Sequence, residues 1–426
     1  MKNYSSVKPL KDYDIDSFIA DYNLFAVFDA PVNVLFVDNF KKNIKKYKDI
    51  FMHFNMPNNI FFSCKCNKGF SFLKYAADNG CGIEVSSVYE LSDALKFTNR
   101  IIASGPAKSH EYIDMSIKNN VLISVDDIYE LQKICETNKE ARVFLRIIPL
   151  NMISRFGINV SQIDKCLNLI ENSNIHLEGF SFHINNYDLN DRVNAINQII
   201  SMIHEKNISI KYIDIGGGLP TSYCSKQDYF CFLKNNTKEM YFKNKEINDF
   251  YPYYNEISDE NALNYILNKV YNLLDGIEII VEPGRCLLKN CGISIYKVEY
   301  LKKFDNGDYI IVTNGNINSL SEQWFNSDYI IEPTLLKRKK GKKLKEPIYA
   351  SIAGNLCLEQ DMITWRKIKF NYLPEAGDYL IYYNTAGYQM DSNESTFHKI
   401  PLVKKYVVVK ENKRFIIRKD ESYDSK

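Results

Sequence analysis

Lys65 is the residue in this sequence whose setting first suggests chemistry. It stands within the run FFSCKCN, residues 61–67, which is typical of a buried strand. A lysine inside an apolar strand costs free energy unless its amine is paired or used covalently. One interpretation is an ammonium group that reaches solvent at the strand end. The other is a desolvated amine that loses its proton readily and acts as a nucleophile in Schiff-base formation.

Short β-branched or aromatic runs recur along the chain, and helix-length segments such as Phe70–Asn79 separate most of them. Strands that alternate with helices predict βα units and a parallel sheet. Eight such runs predict an α/β fold, a (β/α)₈ barrel. The runs are Ile60–Cys64, Gly82–Val85, Ile101–Ala103, Val121–Ser124, Val143–Ile148, Leu177–His183, Tyr212–Ile215 and Ile277–Val281.

The remaining segments predict a second, β-rich domain. We assign residues 31–285 to the barrel, beginning with a strand at Val32–Val37 and interrupted by an inserted excursion at about 221–258. Residues 1–30 plus 286–426 form the β-rich domain, because turn signals there separate strand-like pieces. These pieces are Ser294–Leu301, Tyr309–Val312, Tyr379–Tyr383 and Tyr406–Val409.

Polar or glycine-rich features follow six of the predicted barrel strands, at the end where such barrels carry their active sites. Taken singly, each has an ordinary explanation. A triple glycine can be a tight turn, a histidine can be a structural hydrogen-bonding group, and the EPGR segment can be a salt-bridged turn. Their shared position favours a common site. The features are Lys65, Glu84, Ser154–Gly157 with Arg155, His183, Gly216–Gly218 and Glu282–Arg285.

The chemistry of these features fits one ligand. The triple glycine and the Gly284–Arg285 amides can form an anion cradle in the seventh and eighth loops, where barrels bind phosphate. The imidazole of His183 can stack on an aromatic ring, and the carboxylate of Glu282 can bond a ring nitrogen. With Lys65 to form an imine, the set meets the requirements of pyridoxal phosphate.

On these residues the chain resembles the fold-type III pyridoxal-phosphate decarboxylases, a group that includes diaminopimelate, ornithine and arginine decarboxylases. The resemblance runs from about Val32 to about Val408. It implies a barrel like that of alanine racemase, a β-rich C-terminal domain, and a homodimer whose active sites are shared across the interface. The motifs are FSCKCN, GCGIEVSSVYEL, ASGPAKS, SRFGI, SFHI, DIGGGLP, VEPGR, the Cys357–Asp361 segment and AGY at Ala386–Tyr388.

The resemblance implies a role for each site residue. Lys65 would carry the internal aldimine, and Glu84 would lie near it, where the family has an aspartate. His183 would stack on the cofactor ring, and Glu282 would pair with the pyridine nitrogen. The residues implied to hold the phosphate are Gly216, Gly217, Gly218, Gly284 and Arg285, with a hydroxyl group from Tyr388.

The presence of a glutamate at position 282 helps to predict which reaction is catalysed. A carboxylate keeps the ring nitrogen protonated, so that the ring accepts the electron pair released when a Cα bond breaks. Loss of CO2 leaves a carbanion that an acid must reprotonate, and the resemblance gives this role to Cys357 of the partner subunit. Related racemases have an arginine at the Glu282 position. We therefore expect amino-acid α-decarboxylation, with a racemase, another lyase of this fold and a non-catalytic homologue as alternatives.

The candidate substrate-binding residues depart from the family pattern. Decarboxylases of basic amino acids usually place an acid directly after the cysteine, where this chain has Leu358, with Glu359 one residue later. A second acid of the family is Asn314 here. Both acids normally face the distal amine, so their loss argues against ornithine. We expect a distal end that is neutral, acidic or conjugated, and we take Arg155 as a further candidate contact.

Bulk properties exclude several other functions. A net charge of +2 is too small to favour nucleic acid or an anionic membrane surface, and no apolar run approaches the ~20 residues of a membrane span. The ten cysteines form no CxxC pair and no zinc-like cluster with histidine, so we expect no metal. With no secretory signal, reduced thiols indicate a cytoplasmic protein. The basic run Lys337–Lys345 is interpreted as a solvated loop.

Overall fold

The structure, a computed structural model, describes residues 5–322 and 327–421. The strands of this part of the chain form two nine-stranded sheets, one a parallel barrel and the other mixed. The strands are β1 (Val32–Phe36), β2 (Phe61–Ser63), β3 (Gly82–Val85), β4 (Ile101–Ala103), β5 (Leu122–Val125), β6 (Ala141–Ile148), β7 (Ile158–Asn159), β8 (Ile175–Ser181), β9 (Tyr212–Asp214), β10 (Glu278–Ile280), β11 (Gly292–Lys303), β12 (Tyr309–Thr313), β13 (Thr334–Leu336), β14 (Lys343–Ala353), β15 (Met362–Tyr372), β16 (Tyr379–Tyr383), β17 (Lys404–Glu411) and β18 (Arg414–Lys419).

Helices follow most of the barrel strands, as βα units require. Ser87, Ser109 and Asp127 each cap a helix by accepting a hydrogen bond from a backbone N–H group of its first turn. The helices are α1 (Tyr13–Asp21), α2 (Leu24–Val27), α3 (Val37–His53), α4 (Phe70–Asp78), α5 (Val88–Ala94), α6 (His110–Lys118), α7 (Ile128–Glu136), α8 (Ile163–Glu171), α9 (Leu189–Glu205), α10 (Lys226–Asn235), α11 (Glu260–Val270) and α12 (Arg285–Leu288). Across residues 5–322 and 327–421, none of the helices is long and apolar enough to cross a membrane.

Eight strands form the barrel. Their parallel pairing runs in the order β10-β9-β8-β6-β5-β4-β3-β2, and a parallel bridge between Ile60 and Val281 joins the two ends of this series. The amide N–H group of Phe61 donates a hydrogen bond to the carbonyl oxygen of Val281 over 2.9 Å. The predicted (β/α)₈ barrel is therefore confirmed.

The barrel strands change from apolar to polar within two positions. A buried cluster, which we call the apolar plug, fills the barrel interior and consists of Phe61, Ile102, Leu122, Phe144 and Ile280. Side chains two positions apart on a strand point to the same face. The side chains directly above the apolar plug are therefore those of Ser63, Ser104, Ser124, Arg146 and Glu282.

The strand β1 lies in the mixed sheet, which corrects its assignment to the barrel within residues 31–285. Its Val32 pairs with Ile295 of β11 in the antiparallel sense and with Lys404 of β17 in the parallel sense. All five residues of β1 are buried, as expected for a strand that is covered on both faces. A short apolar run does not indicate which sheet it will join. The chain enters the barrel through α3.

Three further local predictions differ from the structure. The strand predicted around Lys65 ends at Ser63, and Cys64–Cys66 forms a 3-10 turn. Only residues 337–342 of the basic run connect strands, since Lys343 begins β14. The sequence analysis also missed β14 and β15, a pair whose register shifts at several points and whose alternation is correspondingly irregular.

The excursion of residues 221–258 packs against the β-rich domain. Its Tyr251 and Tyr253 are buried in one cluster with Tyr296 of β11 and Tyr329. Its Tyr241 forms an antiparallel bridge with β15. The excursion thus connects the loop after β9 with the mixed sheet.

Candidate active site

A cavity of about 650 Å³ opens above the apolar plug, at the carboxyl ends of the barrel strands. This volume lies within the range of small-molecule sites. The charged and imidazole side chains that line it are Lys65, Glu84, Arg146, Arg155, His183, Asp214 and Glu282. The lysine, the histidine and the two glutamates that the sequence singled out therefore meet in one cavity.

Lys65 lies beside Glu84, the buried carboxylate near the end of β3. The Nζ atom of Lys65 is 3.2 Å from Oε2 of Glu84, and the hydroxyl group of Ser63 donates to the same oxygen over 2.5 Å. Burial is the largest single influence on the pKa of Lys65 and acts to lower it, but the neighbouring groups together, with Glu84 first among them, raise this pKa overall. The expectation that burial would make the amine lose its proton readily is therefore wrong. Glu84 holds it as an ammonium group.

Asp214 also lines the cavity, although its sequence motif did not single it out. It ends β9, where it is the register partner of Ser181 and Ile280, and its carboxyl group is hydrogen-bonded to that of Glu282. Burial raises the pKa of both carboxyl groups, and for Glu282 the charge on Asp214 adds to the effect. The pair therefore holds a proton at a pH where ordinary carboxyl groups are ionised. The apolar-to-polar step from Tyr212 to Asp214 was the available sequence signal.

His183 presents a neutral ring to the cavity. The amide N–H group of Gly217 donates to Nδ1 of His183 over 3.3 Å, which leaves the ring proton on Nε2. Burial, followed by the positive charges of Lys65 and Arg146, lowers the pKa of His183 to about 3. The ring therefore stays uncharged at neutral pH and offers an uncharged face for stacking.

Two glycine turns approach each other beside His183 and Glu282. Gly216 and Gly218 have φ angles of 66° and 70°, in the left-handed region that favours glycine. A Cβ atom on Gly284 would lie 1.9 Å from the Sγ atom of Cys66. Within the described residues, the amide N–H groups of Gly218 and Gly284 donate to no protein acceptor. Unpaired amides on neighbouring turns suit an anion.

Arg285 and Tyr388 lie behind these turns. The guanidinium group of Arg285 donates to buried Glu322 over 2.8 Å, so its charge is already matched, and it lies 4.8 Å from the ring centre of Tyr388. The amide N–H group of Tyr388 donates to the carbonyl oxygen of Cys66, next to Lys65, over 2.8 Å. Burial raises the pKa of Tyr388 well above its ordinary value, so its hydroxyl group remains a donor.

Cys357, Leu358 and Glu359 lie outside the cavity of their own chain. Cys357 and Leu358 are exposed, and Glu359 pairs with Lys243 of the excursion over 2.5 Å. Their predicted roles depend on a second subunit and stay predictions.

The other two candidate substrate contacts differ from each other. The side chain of Asn314 is used within the fold, because its Oδ1 atom accepts a hydrogen bond from the amide of Lys297 over 2.9 Å and its amide group donates to the carbonyl oxygen of Ala30. Arg155 lines the cavity, where its guanidinium group stacks on the ring of Phe156 at 3.8 Å. Arg155 is therefore the candidate that can reach a ligand within one chain.

Comparison with known proteins identifies the family. The family model described as pyridoxal-dependent decarboxylase, pyridoxal binding domain, matches residues 37–289. This match begins at the first residue of α3 and includes all the barrel strands. The chain belongs to the pyridoxal-dependent decarboxylase family, and its cofactor is pyridoxal phosphate, as predicted.

Individual relatives are distant. An uncharacterised protein of Sinorhizobium fredii is 30% identical over 90% of this chain and 88% of its own length. The diaminopimelate decarboxylase of Aquifex aeolicus is 24% identical over 94% of this chain and 91% of its own length. The crystal structure of diaminopimelate decarboxylase from M. jannaschii with L-lysine has a TM-score of 0.75 at 21% identity, covering 94% of this chain and 92% of that one. These values place the chain in a divergent branch.

The residues that line the cavity, together with the two glycine turns beside it, fit pyridoxal phosphate. Lys65 supplies an amine, His183 supplies a neutral ring face, and the Asp214–Glu282 pair supplies a proton. The amides of Gly218 and Gly284 supply donors for a phosphate group. Each part of the cofactor thus has a chemically suitable partner in this chain.

Replacement of Asp214 by asparagine tests the shared proton. Burial raises the pKa of Asp214 to about 7, so its stabilising contribution is complete below the ordinary carboxyl pKa and is lost as the pH rises through about 7. Asparagine still accepts the hydrogen bond from Gly216, 2.9 Å in the wild type, and does not titrate. For the cofactor-free proteins, we expect the stability of Asp214→Asn relative to the wild type to increase by roughly 2 to 3 kcal/mol between about pH 5 and about pH 8.5.

Urea unfolding followed by circular dichroism measures this difference. Asp305→Asn, in an exposed turn, is the matched control. Its difference in unfolding free energy from the wild type should be the same at both pH values. A stability difference for Asp214→Asn that is the same at both pH values would contradict the shared proton.

Proposed function

We propose that the protein catalyses α-decarboxylation of an amino acid or amino-acid conjugate. The proposal is carried by one observation: an amine, a neutral imidazole and a proton-bearing acid pair line the same cavity. When bound, pyridoxal phosphate supplies a ring that accepts the electron pair released from Cα. Glu282 supplies the proton that keeps the ring nitrogen cationic, which favours loss of CO2. A cationic residue in its place would weaken this effect.

Glu84 has two tasks at Lys65. Its Oε2 atom, 3.2 Å from the Lys65 Nζ atom, holds the amine in place. Because the amine must lose a proton before it can act as a nucleophile, the same oxygen is the nearby acceptor for that proton. Hydrogen bonds from Ser63 and Ser86 keep the Glu84 carboxylate oriented while it does so.

The charges in the cavity support a substrate without a distal ammonium group. Among the described lining residues, Glu84 is bonded to Lys65, and Asp214 and Glu282 are bonded to each other. A distal ammonium group would therefore find no carboxylate that is not already engaged, and burying it unpaired is costly. Arg155 and the amide of Asn185 also line the cavity. They suit a neutral, acidic or conjugated distal group.

We infer that the enzyme is a homodimer in which Cys357 serves the cavity of the partner subunit. The carbanion left after loss of CO2 needs an acid, and Cys357 is exposed rather than buried in its own chain. The turn that carries it is well anchored, because Asp361 accepts hydrogen bonds from the amides of Ile317 over 2.7 Å and Leu356 over 2.6 Å. An ordered, exposed turn suits a residue that acts across an interface.

Release of CO2 from a panel of L-amino acids and their conjugates tests the reaction and the substrate class. We expect turnover of compounds with neutral, acidic or conjugated distal groups, and a kcat/KM at least about 100-fold lower for L-ornithine and L-lysine. Efficient turnover of L-ornithine or L-lysine would contradict the substrate class. Inversion at Cα without CO2 release would indicate a racemase, and cofactor binding without any turnover would indicate a non-catalytic homologue.

Mixing two inactive variants tests the shared site. Each proposed site takes Lys65 from one subunit and Cys357 from the other. In a mixed dimer of Lys65→Ala and Cys357→Ala, one site therefore has both residues intact and the other site lacks both. We expect each variant alone to be nearly inactive and co-expressed, differently tagged subunits to regain about a quarter of wild-type activity by random pairing. Mixtures of Lys65→Ala with His183→Ala, which alter the same side, are the control and should stay inactive. No recovery in isolated mixed dimers would show that Cys357 does not act across the interface.

A further inference from the structure

The excursion of residues 221–258 contacts the turn that carries Arg285. The ring centre of Tyr251 lies 4.2 Å from the Arg285 guanidinium group, and the hydroxyl group of Tyr253 donates to Glu322, the carboxylate that pairs with Arg285. Tyr251 is 2% exposed and Tyr253 is fully buried. Neither tyrosine lines the catalytic cavity, so both act on the site only through other residues.

The burial of the Glu322 carboxylate depends in part on its hydrogen bond from Tyr253. The carboxylate is fully buried beside Arg285 and accepts further hydrogen bonds from Tyr253 and from the amide group of Gln389 at 3.2 Å. A buried carboxylate is stable only when its oxygens are paired and hydrogen-bonded. Tyr253 therefore helps to fix Glu322, and Glu322 in turn fixes the guanidinium group of Arg285.

Tyr251 contacts residues that follow each of the two glycine turns. Its hydroxyl group accepts a hydrogen bond from the amide of Thr221 over 3.1 Å, and Thr221 is three residues beyond Gly218. Its ring lies against Arg285, the residue after Gly284. Gly218 and Gly284 carry the two unpaired amides that suit a phosphate group. One side chain of the excursion therefore links the segments that follow the two turns.

We propose that Tyr251 and Tyr253 are positioning residues for the phosphate end of the cofactor, and that this is the function of the excursion. The inference rests on the proposed placement of the phosphate at Gly218 and Gly284. It assigns no chemical step to the tyrosines. They determine how tightly the phosphate group is held, and not the affinity for the ring.

Affinities for pyridoxal phosphate and for pyridoxal, which lacks the phosphate, separate this role from a general structural one. Both are measured by titration of the cofactor-free full-length protein. We expect Tyr253→Phe, which removes one hydroxyl group, to weaken binding of pyridoxal phosphate about tenfold and to change binding of pyridoxal less than about threefold. Tyr251→Ala should weaken pyridoxal phosphate binding further, and Tyr251→Phe, which keeps the ring, should restore part of the loss.

Tyr241→Phe is the matched control. Tyr241 is also buried in the excursion, and its hydroxyl group donates to Asn236 over 2.6 Å, away from Arg285 and Glu322. This variant should bind both compounds like the wild type.

Three outcomes would overturn a proposal. Unchanged pyridoxal phosphate affinity in Tyr253→Phe, or an equal loss for both compounds, would overturn the positioning role, since a merely structural change affects both. Failure of the wild type to prefer pyridoxal phosphate over pyridoxal would instead overturn the placement of the phosphate at the glycine turns. If Tyr251→Ala does not fold, the Tyr253→Phe comparison still decides between these results.

Discussion

Closure of the barrel fills its interior with the apolar plug, and the next side chain on the same face of each strand must then stand above that plug. These positions are covered from below and open to the cavity from above. Polar groups placed there are partly desolvated but remain accessible to a ligand, which is the setting in which pKa values move furthest. Ser104, Ser124, Arg146 and Glu282 of the site occupy such positions, and Asp214 lies two residues beyond Tyr212, which packs against the plug. The cavity is therefore a consequence of how the barrel is packed.

Burial in this setting requires that charges be matched, and most of them are. Lys65 pairs with Glu84, Arg146 pairs with Asp126 at 2.9 Å, and Arg285 pairs with Glu322. Asp214 and Glu282 form the exception, because they are two acids bonded to each other. Their burial is tolerable only with a shared proton or with a cation beside them. A protonated ring nitrogen is such a cation. The two acids, Asp214 and Glu282, are therefore the pair in the site that is suited to the cofactor.

The sequence predicted the barrel strands closely because each βα unit repeats the same local pattern, and the motifs at strand ends identified Lys65, His183 and Glu282. It did not identify Asp214, whose role depends on the hydrogen bond to Glu282 from the neighbouring strand. The same limit applies to the pairing of Arg285 with Glu322 and to the sheet that β1 joins. Each of these depends on contacts between residues far apart in sequence, which periodicity does not report.

Covalent labelling gives the most direct test that Lys65 is the cofactor lysine. Borohydride reduction of the wild-type protein loaded with pyridoxal phosphate, followed by peptide mass spectrometry, fixes and locates the cofactor. We predict a reduced pyridoxyl group on the peptide that contains Lys65 and none in the Lys65→Ala protein. Lys108, which is buried in an ion pair with Glu130, serves as an internal comparison and should remain unlabelled. A specific label on a different lysine, or no label on a protein that binds the cofactor, would contradict the central role of Lys65.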